Sequence, residues 1–444
     1  MNNDIRFKTI NKLAIPALIS GVSEPILSLT DAAIVGHMPT HATASLAAVG
    51  IVTTFLSMLI WVFGQSRSAL SSIISQYVGA NKLKDIINLP AQAIYVITLI
   101  SLFIIVFTYP FAKNIFRLYN ATGLILDYSI VYYKIRVLGF PFTLFVMAIF
   151  GAFRGLQNTF YPMIIALIGT VVNIVFDVVF VYGIDGYVEA MHIKGAAYAS
   201  VLAQCIMALC SVYLLLKKTD FSLRFVWPLN KEMKRFFNMI ANLFVRTIAL
   251  NVTLYFASRL ATGYGASYIA AYTIAINLWF LGAFIIDGYA SAGNILSGKF
   301  LGAKNYINLL DLSSVLIKYG VFVGFVLGVI GALFYSSIGL IFTKAPLVLQ
   351  VFNNVFWLVL IMQPLCALAF IFDGIFKGLG YMAYLRNVLL FATFVVFLPI
   401  LFFLDYLDFK LYGVFIALIF WVAARGVPLI TKFKNTFVPL SLKE

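Results

Sequence analysis

The chain has 444 residues, 63% of them hydrophobic and 11% charged, with a mean hydropathy of +1.01, a composition that excludes an ordinary soluble domain. Its net charge of +15 is spread over alternate loops and forms no separate basic domain, which excludes nucleic-acid binding as its explanation. Apolar runs repeatedly reach the ~20 residues a spanning helix needs, without the strict alternation of a membrane barrel, so the fold class is an all-α polytopic membrane protein.

Twelve spans are predicted, at 13–36, 46–75, 88–112, 126–152, 159–183, 195–216, 236–262, 266–298, 312–342, 346–376, 384–404 and 411–431. The first carries Glu24 and Asp31, seven residues apart, close to two turns and therefore on one face. An ionised side chain at mid-bilayer costs at least ~2.5–3.5 kcal/mol, so such residues face a bundle interior or a water-filled cavity. Asp31 reads as a proton- or cation-exchanging group, against the alternative of a structural hydrogen-bond partner that keeps its proton. Glu24 is an accessory on the same path or the ion-pair partner of a cation such as Arg67, and both readings stand. Pro16 and Pro25 are the candidate gating kinks of this span: Pro25 removes a backbone donor between the two acids, where a bend would respond to their protonation.

In the fifth span Asn173 precedes Asp177 by one turn, placing its amide where it can donate to the carboxylate. The second half holds cations as well as acids: Arg246, Arg259, Asp287, Asp373 and Lys377. Ion pairing leads here, with Asp373 and Lys377 as an i,i+4 pair and Asp287 neutralising Arg246 across helices; ion or substrate contacts at Arg246, Asp287 and Asp373 are the other reading. Cys205, Cys210 and Cys366 lie inside spans as packing residues. His37, His41 and His192 fall near external loops without metal-ligand spacing. No HExxH, GxSxG or P-loop string occurs, so neither an enzyme, a metal nor another cofactor is expected, and energy must come from an ion gradient.

Lys and Arg crowd the loops on the side of the N-terminus (Lys8, Lys12, Lys82, Lys84, Lys217, Lys218, Lys231, Lys234, Lys432 and Lys434, for example), whereas the opposite side has Lys113, Arg117, Lys194, Lys344 and Lys410. This asymmetry predicts a multi-pass protein of the cell membrane with both termini cytoplasmic. The polar N-terminal segment has no apolar stretch with a cleavage site after it, so no removable signal is expected.

The longest polar connection divides the chain near its middle. An offset of 223 aligns Pro141 with Pro364, Gly151 with Gly374, Phe153 with Phe376 and Gly155 with Gly378, and again Ser68 with Ser291, Gly79 with Gly302 and Ala80 with Ala303. The predicted organisation is an N-lobe of six helices (1–220), a cytoplasmic linker (221–235) and a C-lobe of six (236–444). An even number of spans per half makes the repeat parallel, with a pseudo-twofold axis along the membrane normal, a central cleft and alternating access.

These residues resemble the multidrug and toxic compound extrusion family, more closely its DinF-like branch. The resemblance rests on Pro16, Pro25 and Asp31–Gly36 in the first span, Phe153–Thr159 followed by Asn173–Asp177 and Gly183, Gly195–Ser200, Asp287–Ala290, and Phe372–Gly378 with Arg386 and Asn387. It implies a cation-coupled antiporter that expels amphipathic and often cationic drugs or toxic organic cations; the expected partners are those compounds and the lipid bilayer that surrounds a monomer. It also implies that Asp31 is central to coupling, with Asn173, Asp177 and the hydroxyl of Ser200, where threonine is more usual, completing the network. Other members use a seventh-helix glutamate for sodium; Arg246 and Arg259 without an acid there lean the coupling ion toward H⁺, with Na⁺ in the N-lobe retained. The rival readings are a lipid-linked oligosaccharide flippase of related fold and, further off, an intramembrane enzyme using Glu24 and Asp31.

Overall fold

Twelve helices long and apolar enough to cross a bilayer account for the hydropathy of the chain in a computed structural model, which describes residues 5–38, 41–184 and 186–444 apart from the side chain of Glu24. They are α1 (Phe7–Gly36), α2 (Ala42–Gly79), α3 (Leu83–Thr108), α4 (Gly123–Gly155), α5 (Phe160–Tyr182), α6 (Ile193–Lys218), α7 (Glu232–Gly263), α8 (Ala266–Gly302), α9 (Tyr306–Leu333), α10 (Pro346–Leu379), α11 (Met382–Tyr406) and α12 (Lys410–Ser441). Each predicted span is recovered, and the ends differ where polar residues govern them. Helix α7 starts at Glu232 rather than 236 because the Asn230 side chain accepts the Glu232 N–H at 3.0 Å. Helix α9 starts early for the same reason, Asn305 accepting the Asn308 N–H at 2.9 Å, and stops at Leu333 although the apolar sequence runs on. Such caps satisfy N-terminal donors that hydropathy does not see.

Inside α4 a 3₁₀ turn at Val137–Gly139 precedes Pro141, and α11 contains a π-helical turn at Ala392–Phe397. Helix α1 is continuous through Pro16 and Pro25.

The chain forms two compact units. The N-terminal unit comprises Ile19–Ile74 and Lys82–Ile240; the C-terminal unit comprises Ala241–Glu444 with Ser75–Asn81 and the described residues up to Leu18. The boundaries therefore depart from a simple division at 221–235. The connection stays with the N-terminal unit because Gln92 of α3 holds it: the side-chain amide donates to Val226 O at 2.7 Å and accepts from the Asn230 N–H at 2.8 Å. Conversely, Gln76 donates to Gly378 O at 2.7 Å, and the Phe7 ring meets Tyr319 edge-on at 4.9 Å, tying those segments to the C-terminal unit. That unit is filled by aromatic packing around Phe352, Phe356, Phe397 and Trp421.

The 223-residue offset reappears as packing. A Cβ on Gly151 would stand 2.7 Å from Arg67 O, and one on Gly374 would collide with Ala290 O, the residue 223 beyond Arg67. Likewise Gly155 lies on Ser71 and Ile74, while Gly378 lies on Asn294 and Ser297. In each half the fourth helix thus rides directly on the backbone of the second. Within the C-terminal unit Gly79 rests on Lys299 O and Gly302 on Gln76 O, a reciprocal contact in the same register. Because a backbone carbonyl cannot yield as a flexible side chain can, Gly374→Ala is expected to destabilise by about 1–3 kcal/mol, the usual cost of overpacking. Gly50→Ala, whose methyl would meet nothing within 4 Å, is expected to hold or raise stability, since alanine exceeds glycine in helices by about 1 kcal/mol. Thermal midpoints in detergent decide it, and equal midpoints for the two variants would contradict the close approach.

Candidate functional site

Four helices of the N-terminal unit converge on Asp31, which is 1% exposed. Its Oδ2 accepts from the Tyr132 hydroxyl of α4 at 2.9 Å and from the Ser200 hydroxyl of α6 at 2.8 Å. Its Oδ1 accepts from the Asn173 amide of α5 at 3.3 Å, and the same amide reaches Ser200 Oγ at 3.2 Å. The frame is braced on both sides of the acid: the Tyr182 hydroxyl donates to Ile34 O at 2.8 Å, and Arg154 donates to Ser20 Oγ at 3.0 Å. Hydrogen bonds to an ionised group are about twice as strong as neutral ones, so three donors suit a carboxylate that must carry charge in a dry interior.

Asp177, one turn beyond Asn173 on α5, is fully buried; among the described residues no hydroxyl, amide or guanidinium donates to its carboxyl oxygens, and the group within hydrogen-bonding reach of it is the Asp31 carboxyl. The sequence makes the Asn173 amide the expected donor to Asp177, and the structure corrects that pairing. Asn173 gives its hydrogens to Asp31 and Ser200, which reach it from α1 and α6, and none to Asp177. Asp177 interacts electrostatically with Asp31 and with Arg136 of α4. Two carboxylates sharing one dry site repel each other, and a proton on either relieves the repulsion.

Of the residues singled out in the sequence, Asp31, Asn173, Asp177 and Ser200 come together. The accessory role considered for Glu24 falls on a side chain outside the described residues. Tyr132 and Arg136 join the site without having been expected there; the available signal is an intramembrane tyrosine and arginine four residues apart, on one face of a helix. Tyr128, one turn before Tyr132, lines a cavity of about 400 Å³ with Met38, Ser45, His192, Lys194 and Tyr198.

In the C-terminal unit, Asp373 of α10 receives Arg246 of α7 on Oδ1 and Lys377 on Oδ2, the latter at 2.9 Å. The i,i+4 pair is thus present, whereas the expected Asp287–Arg246 pair is not: Asp287 is exposed, and Arg246 is committed to the buried Asp373. Arg259 is exposed as well. Among the described residues no group of three or more His, Cys, Asp or Glu is placed to hold a metal ion.

The MatE family model matches residues 16–179 and 239–403, two segments that begin 223 residues apart. The chain is 29% identical over 274 residues to Protein DETOXIFICATION 42 of Arabidopsis thaliana, covering 61% of this chain and 51% of that one, so it spans about half the length of that relative. It is 25% identical over 387 residues to DNA damage-inducible protein F of Escherichia coli, covering 86% and 82% of the two chains. It is 25% identical over 386 residues to the probable multidrug resistance protein NorM of Thermotoga maritima, covering 84% and 80%. A crystal structure of MATE in the bent conformation shares the fold with a TM-score of 0.90 at 21% identity, covering 98% of this chain and 96% of that one.

Proposed function

Because the chain belongs to the MatE family, a family of multidrug efflux transporters rather than enzymes, we propose that it is a secondary active antiporter that exports amphipathic organic compounds, cations among them, in exchange for H⁺. The observation that carries this reading is the buried pair of Asp31, held by three donors, and Asp177, whose carboxyl lies within hydrogen-bonding reach of Asp31. A proton arriving on Asp31 gives one carboxyl oxygen a hydrogen to donate, which goes to the Asp177 carboxylate or to a hydroxyl that rotates to accept it. Asn173 cannot make that change, since its amide nitrogen only donates. Protonation therefore alters the contacts that hold α1 against α4, α5 and α6. Pro16 and Pro25 are the positions at which α1 would bend in response.

Coupling requires that drug and proton prefer different states of the protein; without a difference in affinity, neither ligand can move the other. Alternating access supplies those states, in a plasma-membrane protein with both termini cytoplasmic. Arg136 beside the acids favours H⁺ over Na⁺, because a fixed guanidinium competes with a metal cation for the same negative charge. The test is transport of a cationic dye such as ethidium by protein in liposomes under an imposed pH gradient or an imposed Na⁺ gradient. Uphill movement driven by the pH gradient alone is the expected result; movement driven by Na⁺ alone, or flux indifferent to both, would refute proton coupling.

A further inference from the structure

The connection between α6 and α7 displays apolar rings while being held firmly in place. Gln92 of α3 donates to Val226 O at 2.7 Å and to Pro228 O at 3.2 Å and accepts from the Asn230 N–H at 2.8 Å; the Asn230 side chain donates to Asp85 O at 3.0 Å. Trp227, between these anchors, is nevertheless 74% exposed, and Phe225 and Leu229 on either side of it are exposed as well. The Phe225 ring is set edge-on against Tyr95 of α3 at 5.7 Å, which fixes its place beside the tryptophan. A tryptophan displayed in water forgoes the burial of a large apolar surface. Helix α6 ends at Lys218 and α7 starts at Glu232, so the connection joins the ends of two membrane spans. At that level a ring with one polar edge has a natural place, among the lipid headgroups.

The charges that follow are mostly of one sign. Between residues 217 and 235, Lys217, Lys218, Arg224, Lys231, Lys234 and Arg235 stand against Asp220 and Glu232. Lys231, four residues after Trp227, lines a shallow hollow of about 350 Å³ with Lys234, Arg235 and Asn238, all within the N-terminal unit. Arg235 meets Glu232 at 3.3 Å, a surface pair of the kind that contributes little. Cations three and four residues apart repel one another, and these stand at the start of α7, where the helix dipole favours anions. An anion in the hollow offsets both costs. We propose that Lys231, Lys234 and Arg235 hold the phosphate of an anionic phospholipid, with Trp227 and Phe225 inserted among the neighbouring headgroups. The exposed rings favour a lipid over a soluble anion or an acidic peptide, since only an occupant with apolar and charged parts answers both features. The charge asymmetry of the loops predicts this side to be cytoplasmic, the leaflet that carries anionic lipid. Bound in this way, the segment that links the two halves of the chain is pinned to the bilayer surface.

Binding is measured on the full chain in detergent by native mass spectrometry, with no gradient, so that its outcome is independent of the dye-transport result. The probes are phosphatidylglycerol and phosphatidylcholine with the same acyl chains. Phosphatidylglycerol is expected to bind the more tightly, each lysine contributing about fivefold. Lys231→Gln combined with Lys234→Gln should therefore weaken its binding by about 25-fold and leave phosphatidylcholine unchanged. Both lysines are exposed, so the fold should survive their replacement. Lys432→Gln with Lys434→Gln takes the same charge from exposed positions near the end of α12 and should alter neither lipid. Trp227→Ala should weaken phosphatidylglycerol binding at unchanged charge. Equal binding of the two lipids by the unaltered protein, or a preference that survives the Lys231 and Lys234 substitutions, would overturn the proposal. So would equal losses from the two double variants, which would reduce the effect to net charge, or binding indifferent to Trp227. Inorganic phosphate that raises the thermal midpoint through Lys231 and Lys234 where phosphatidylglycerol does not would assign the hollow to a soluble anion, and the lipid proposal would fall.

Discussion

Asp31→Asn protein in liposomes should build no dye gradient from an imposed pH gradient, a loss to the level of protein-free vesicles. The substitution is nearly isosteric and keeps one carbonyl oxygen to accept from Tyr132 or Ser200, whose hydroxyls lie 2.9 and 2.8 Å from the present carboxylate. Folding should therefore survive, and equilibrium binding of dye with it. What disappears is the change of charge, and with it the difference between states on which coupling depends. Retained binding with lost uphill transport is the diagnostic combination. An Asp31→Asn protein that still concentrates dye would remove Asp31 from the coupling path and leave a structural hydrogen bond in its place.

Asp373→Ala should be the most damaging single change to stability in the C-terminal unit. It leaves Arg246 and Lys377 facing each other and takes from Arg425 the nearby charge of Asp373, and removing one partner of a buried ion pair typically costs about 3–5 kcal/mol. The exposed Asp287 provides the contrast, since Asp287→Ala should fall within about 0.5 kcal/mol of the unaltered protein. Pairing Asp373→Asn with Arg246→Gln removes charge of both signs and should recover a substantial part of the lost stability. Midpoints of the purified proteins measure all of these, and an Asp373→Ala midpoint equal to that of Asp287→Ala would refute the pair.

The twelve spans and the repeat were legible because hydropathy and helix length are properties of contiguous sequence. The 223-residue offset survives in three dimensions because Gly151 and Gly374 perform the same packing task on Arg67 and Ala290. Asp31 and Asp177 were legible because an acid inside a span has few innocent uses, Asn173 because it stands one turn before Asp177, and Ser200 only through the family resemblance. Tyr132 was hidden among 24 tyrosines, and nothing in their spacing marks the one that turns its hydroxyl onto Asp31. The partner of Arg246 was hidden for another reason: two acids on different helices and several cations allow more than one pairing, and only the folded chain shows that α10 turns Asp373 inward while α8 leaves Asp287 exposed. Arg425 carried no motif at all, and only the folded chain shows it stacked between the rings of Trp421 and Phe370.

The reciprocal contact of Gly79 with Lys299 O and Gly302 with Gln76 O lies inside one compact unit. Contacts in which position i meets j while the equivalent of j meets the equivalent of i are the mark of an isologous interface. One polypeptide thus contains a seam of the kind that joins two identical subunits. At such a seam neither copy can be altered alone without breaking a match, whereas the polar interiors, which meet no such demand, were free to diverge into an acid-rich network in one half and a cation-rich one in the other.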